Sequence, residues 1–255
     1  MKHHFVALGL ALLSFTAVAQ QLTVSAAASL HNVFTEIGQR FEAAHPGVSV
    51  RFNFGASGLL LQQIEQGAPA DVFASADDET MRLGIERKRL IAATRRDFAV
   101  NTLVLVAPAG EGSIQALDNL KAPSVKRIAI GKPATVPAGR YAQQALRAAG
   151  LWSALEAKLI PADNVRQVLD YVSRGEADAG FVYSTDAKTV PGQVSVLTMP
   201  VWAQPKVQYG ICIVSASASR AAAQAFVNEV VSKAGQAKLL AAGFLPRVKP
   251  KKAKP

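Results

Sequence analysis

The sequence predicts an α/β fold, and three observations lead to it. Short apolar runs of strand length are followed, again and again, by segments whose apolar residues recur at helical spacing. The junctions between them are brief turns of Gly, Ser, Ala and Pro. Half of the 255 residues are apolar and only one, Cys212, is a cysteine. No intramolecular disulfide can form, and hydrophobic cores must hold the chain together. Strands alternating with helices imply a mostly parallel sheet flanked by helices. One doubly wound sheet, or two smaller sheets with the chain crossing between them, fits the pattern equally well.

The chain opens on a secretion leader: Lys2 supplies the positive start, Phe5 to Leu13 the apolar core, and Ala17-Val18-Ala19 the cleavage site. Segment 1–19 is expected to be removed after Ala19. The apolar run is too short to span a bilayer as an anchor.

Leu22 and Val24 start a strand that runs into Ala26-Ala27-Ala28-Ser29, and Leu30, Val33, Phe34, Ile37 and Phe41 mark the helix behind it. Ser29 is placed at or near the helix N-cap, where its oxygen can accept a free amide. Its hydroxyl can instead donate to a ligand facing the positive end of that helix. Val48 to Phe54 alternates as a second strand, Gly55-Ala56-Ser57-Gly58 is its turn, and Leu59 to Ile64 begins a helix. Gly67 to Asp71 is a loop, Val72 to Ser75 a strand, and Asp77-Asp78-Glu79 open a helix that continues from Thr80 to Leu90.

The texture changes near Asp97 to Thr102, after which a second series begins. Its strands are Leu103–Ala107, Ile128–Ile130, a short one after Leu155–Ile160, Ala179–Tyr183 and Val207–Val214. Its helices are expected over 140–149 and 165–173, and one long helix over 219–241 closes the chain. Cys212, inside Gly210-Ile211-Cys212-Ile213-Val214, reads as a small buried hydrophobe.

The formal charge of +10 raises the question of nucleic acid. Loss of Lys2 leaves +9, and Arg247, Lys249, Lys251, Lys252 and Lys254 account for five of those, so the body is only +4. A basic tail broken by prolines and free of aromatics reads as a solvated, disordered end, with no nucleic-acid partner.

Five motifs now stand in order: Ala26-Ala27-Ala28-Ser29-Leu30, Gly67-Ala68-Pro69-Ala70-Asp71, Val136-Pro137-Ala138-Gly139 with Tyr141-Ala142, Val165-Arg166, and Val182-Tyr183 before Ser184-Thr185-Asp186. Together they resemble the periplasmic molybdate-binding proteins that serve ABC importers. The resemblance covers about Leu22 to Phe244. It implies a two-lobed type II periplasmic-binding-protein fold, each lobe a mostly parallel sheet flanked by helices. Lobe one would comprise residues 20–101 and 207–245, lobe two 102–206, and 246–255 the tail. It implies a periplasmic monomer that captures molybdate or tungstate, needs no cofactor, and passes the anion to an inner-membrane permease. Carried over by position, Ser29 and Ser57 donate hydroxyls, Ala138 and Val165 donate amides, and Tyr183 completes the set. Family members often have a serine run where this chain has Gly55-Ala56-Ser57-Gly58, so Ser57 is placed by aligning Gln63-Ile64-Glu65.

The residues themselves admit other readings. Tyr183 could be a packed strand aromatic. Arg140 and Arg166, each close to a donor position, are expected to be solvated or paired outside the cleft. A serine hydrolase would need a base, and beyond the leader only His31 and His45 occur. His31 would point away from Ser29, and no G-x-S-x-G elbow is present. Asp71, Asp77 and Asp78 match no calcium-loop spacing. A binding protein for sulfate, phosphate or a metal ion is the competing class.

Overall fold

The computed structural model describes residues 20–110, 112 and 114–247; the leader and the tail beyond Arg247 lie outside them. Two five-stranded sheets make two lobes. The strands are β1 (Gln20–Ala27), β2 (Val48–Gly55), β3 (Val72–Ser75), β4 (Arg96–Asn101), β5 (Leu103–Pro108), β6 (Ile128–Gly131), β7 (Leu159–Ala162), β8 (Ala179–Tyr183), β9 (Val194–Thr198) and β10 (Val207–Ile213). The helices are α1 (His31–Ala44), α2 (Ser57–Glu65), α3 (Asp78–Glu86), α4 (Pro137–Ala148), α5 (Trp152–Leu155), α6 (Val165–Ser173), α7 (Ser184–Ala187), α8 (Arg220–Val231) and α9 (Lys233–Ala241).

The sheets share one plan, with strand orders β2-β1-β3-β10-β4 and β7-β6-β8-β5-β9. In the first, β10 runs antiparallel to both neighbours while the other strands point one way. In the second, β5 is the reversed strand in the corresponding place. Each reversed strand is the one on which the chain arrives from the other sheet. The chain leaves the first sheet at Thr102, between β4 and β5, and returns between β9 and β10. The parallel strands therefore send their carboxyl ends toward the seam between lobes, where ligands of such sheets gather.

Burial explains why these segments pair. One face of the first sheet is covered by α1, α8 and α9 over interlocked rings of Phe34, Phe41, Phe98 and Phe226. The other face is covered by α2 and α3 over a separate core of Leu60, Leu61, Ile64, Phe73, Met81 and Cys212. Cys212 is buried and unpaired, as its apolar setting suggests. In the second lobe α4 and α6 pack on β5, β6 and β8. A Cβ on Gly139 would run into the Gly131 carbonyl, so only glycine lets α4 seat on the end of β6.

Some boundaries differ from the sequence reading. Ser29 lies in a single 3-10 turn, Ala28–Leu30, and does not cap α1, whose N-cap is Leu30. α2 starts at Ser57 and α4 at Pro137, two and three residues earlier than expected, the latter because proline's fixed φ suits the first helical position. The closing helix is two: Ser232, at φ −63° and ψ 163°, breaks the run and its hydroxyl caps α9 by accepting from the Gly235 amide. The segment 96–101 is itself a strand, and β9 had no counterpart in the sequence reading.

Candidate functional site

Between the lobes lies a small cavity of about 10 Å³, lined by residues 27–29, 55–57, Ala76, 136–138, Asn164, Val165 and Tyr183. That is about one water-sized sphere, far below pockets for drug-sized ligands; it suits nothing larger than a small polyatomic group. All five residues singled out from the sequence line it: Ser29 and Ser57 from the first lobe, Ala138, Val165 and Tyr183 from the second. No Lys, Arg, His, Asp or Glu is among the lining residues.

Several groups in the cavity are left with a proton to give. Ser57 Oγ accepts from the Ala76 amide at 3.1 Å, so its own O–H is free. Ser29 Oγ lies 2.9 Å from Tyr209 Oη, and both are buried. Tyr183 is 1% exposed, and its hydroxyl has no partner among the described residues. Burial, above all, pushes the Tyr183 phenol well above its usual pKa, so it is a neutral donor. Ala138 and Val165 lie in the first turns of α4 and α6, where an amide has no carbonyl one turn behind it. Neither amide meets an acceptor among the described residues. The one carboxamide in the lining, Asn164, is committed to capping α6 by accepting from the Arg166 and Gln167 amides.

Three helix starts (α2, α4 and α6) therefore converge on one small space, each adding partial positive charge. Such an arrangement attracts an anion without a cation. The lining holds no charged acceptor, so it suits an anion that brings its own acceptor oxygens.

The charged groups expected outside the cleft are paired there. Arg140, on α4, crosses the seam to Asp77 at 2.5 Å and to the Thr80 hydroxyl at 2.8 Å, and it touches the carbonyl of Pro133. Asp77 also caps α3 through the Thr80 amide. Arg166 Nε sits 2.7 Å from Asp186 Oδ1, out of line for a directed bond, so the contact is ionic. Asp186 is fully buried and its other oxygen accepts the Tyr183 amide. Burial pushes its carboxyl up to about 6, with Arg166 and that amide pulling the other way. Asp71 is used structurally, accepting from the Thr23 amide and the Ser217 hydroxyl. No metal-holding cluster of acidic, His or Cys side chains occurs among the described residues. His31 is exposed against Phe54, and His45 is exposed to an intermediate degree and stacked on Phe41; neither faces the cavity.

The seam is tight beside the cavity. The Gly58 amide donates to the Thr135 carbonyl at 2.9 Å, joining α2 of one lobe to the loop before α4 of the other. Sequence reasoning missed Gly58, Asp77 as a partner of Arg140, and Tyr209. Tyr209 sits in an alternating strand with no local sign of its role.

Comparison with known proteins identifies the family. The family described as bacterial extracellular solute-binding protein matches residues 22–245. The molybdate-binding protein ModA of Escherichia coli K12 is 40% identical over 201 residues, covering 76% of this chain and 77% of that one. ModA of Mycobacterium tuberculosis H37Rv is 37% identical over 230 residues, 89% of this chain and 85% of the relative. Among solved structures, the periplasmic molybdate-binding protein of Azotobacter vinelandii superposes with a TM-score of 0.79 at 27% identity, over 90% of this chain and all of that one.

Proposed function

Because the chain belongs to the bacterial extracellular solute-binding protein family, we propose that it captures molybdate between its two lobes and delivers it to an ABC importer. The observation behind this reading is the cavity itself: small, uncharged, fed by three helix starts and furnished only with donors. A doubly charged tetrahedral oxyanion has four acceptor oxygens and no proton, the complement of that lining. Ser29, Ser57 and Tyr183 give hydroxyl protons; Ala138 and Val165 give amides. Tungstate, of nearly the same size and charge, is held by the same groups. The molybdenum stays inside its oxyanion, and no protein atom ligates it.

The protein acts as a monomer and turns nothing over: among the described residues that line the cavity, no His, Asp or Glu stands beside either serine as a base. Leader 1–19 directs it to the periplasm and is cut after Ala19, and a membrane permease receives the cargo. Neutral donors suit that last step, because charge-assisted pairing would hold the anion harder than release requires.

Calorimetric titration of the mature protein with molybdate, tungstate, sulfate and hydrogen phosphate tests the reading. Molybdate and tungstate should bind alike, sulfate more weakly because its shorter bonds cannot reach every donor, and hydrogen phosphate least, since its proton meets no acceptor. Sulfate or phosphate binding as tightly as molybdate would contradict it.

A further inference from the structure

Ser29 and Tyr209 lie 180 positions apart in sequence, and their hydroxyls are 2.9 Å apart in a buried setting. We propose that Tyr209, held by Asn101, is a positioning residue that makes the Ser29 hydroxyl an obligate donor and so turns the site against protonated anions. The inference rests on the oxyanion reading above.

The direction of every bond follows from one fixed point. The Thr102 amide can only donate, and it donates to Asn101 Oδ1 at 2.9 Å. That pins the Asn101 carboxamide, a choice that the Ser184 hydroxyl reinforces by donating to the same oxygen. Asn101 Nδ2 is then turned to the Thr185 hydroxyl at 2.8 Å and to Tyr209 Oη at 3.3 Å, and it must donate to both. With an N–H arriving at its oxygen, Tyr209 sends its own proton to Ser29 Oγ. Ser29 has accepted, and its remaining proton points to the cavity. Were Tyr209 absent, the serine hydroxyl could rotate and present a lone pair to a protonated ligand instead.

Tyr209 can hold this role because nothing else claims it. It is fully buried, packed edge-on against Tyr183, Phe98 and Phe244. Its position is also telling. Asn101 ends the strand on which the chain leaves the first lobe, Tyr209 lies in the strand on which it returns, and Thr185 follows Tyr183 in the second lobe. The relay thus runs through both crossings and ends at a ligand donor.

The test is a double-mutant cycle in the full mature chain, with molybdate and hydrogen phosphate as titrants. Tyr209→Phe should weaken molybdate binding roughly tenfold, the scale of one hydrogen bond to a charged ligand. In a Ser29→Ala background the same change should matter less than about twofold, because the serine it orients is gone. Tyr209→Phe should also narrow the preference for molybdate over hydrogen phosphate by about tenfold, which a loss of packing alone would not do. Where urea denaturation shows that Tyr209→Phe has not folded, Asn101→Ala cuts the relay one link earlier and takes its place in the cycle. Additive losses, or an unchanged anion preference, would overturn the relay. Failure of the unmutated protein to bind molybdate would instead overturn the oxyanion reading itself.

Discussion

Tyr183 keeps a buried hydroxyl without a partner among the described residues, a cost of roughly 1–3 kcal/mol while the cavity is empty. Tyr183→Phe should therefore hold or raise the urea midpoint of the ligand-free protein while weakening molybdate; a clear drop in stability would show that the hydroxyl is satisfied in solution. Asp186 behaves in the opposite sense with pH. Its folded carboxyl titrates near 6, above its ordinary 3.8, so between those values the native state holds the proton more firmly than the unfolded chain. Stability from this group rises as pH falls from 7 toward 4.5, by of order 1–3 kcal/mol. Asp186→Asn removes that gain, so the variant should lose ground to the parent on acidification; a gap that stays constant would contradict it. At this scale all five residues singled out from the sequence line the cavity, but only Ser29 was reached from the residues themselves and the other four by resemblance. Ala138 and Val165 bear no chemistry of their own, and Tyr183 in isolation reads as a packed strand aromatic. The Ser29 partner was out of reach, because capping is a local rule and Tyr209 is a tertiary contact. The Arg140–Asp77 pair escaped for the same reason.

Among elements, the strands with continuous apolar runs and the helices with a sharp apolar stripe were legible: β3, β8 and α6 fall where the pattern put them. β9 escaped because it is a short, largely exposed edge strand whose Val194-Ser195-Val196 alternation breaks at Leu197. The α8–α9 break escaped because apolar spacing continues through Ser232, and only its extended ψ and capping bond end the first helix. Gly58 shows what an element gains from one missing Cβ. On Gly58 a methyl group would lie 2.7 Å from the Thr135 carbonyl oxygen across the seam. Alanine is the better helix former by about 1 kcal/mol. Gly58→Ala should thus leave the ligand-free protein as stable or more so, yet weaken molybdate at least about tenfold by holding the lobes apart. Undiminished affinity would mean that this contact is not part of the bound state.

For the whole molecule, two sheets of one topology face each other across a seam that the chain crosses twice. Donors from both lobes converge only when that seam is shut, as the Gly58–Thr135 and Arg140–Asp77 contacts hold it here. On the function proposed above, binding and closure are one equilibrium, driven by the anion's differential affinity for the shut form. The central claim is that this closed site holds a dianion with dipoles alone. Calorimetric titration of molybdate at two ionic strengths, on the parent protein and on Ser29→Ala, Ser57→Ala and Tyr183→Phe, tests it most directly. Each variant should lose roughly ten- to a hundredfold in affinity, the worth of about 1.5–3 kcal/mol per hydroxyl, while salt changes the parent little because no cation pairs with the ligand. Variants that bind within twofold of the parent, together with an affinity that collapses as salt rises, would contradict a neutral-donor site and point to an anion held by charge.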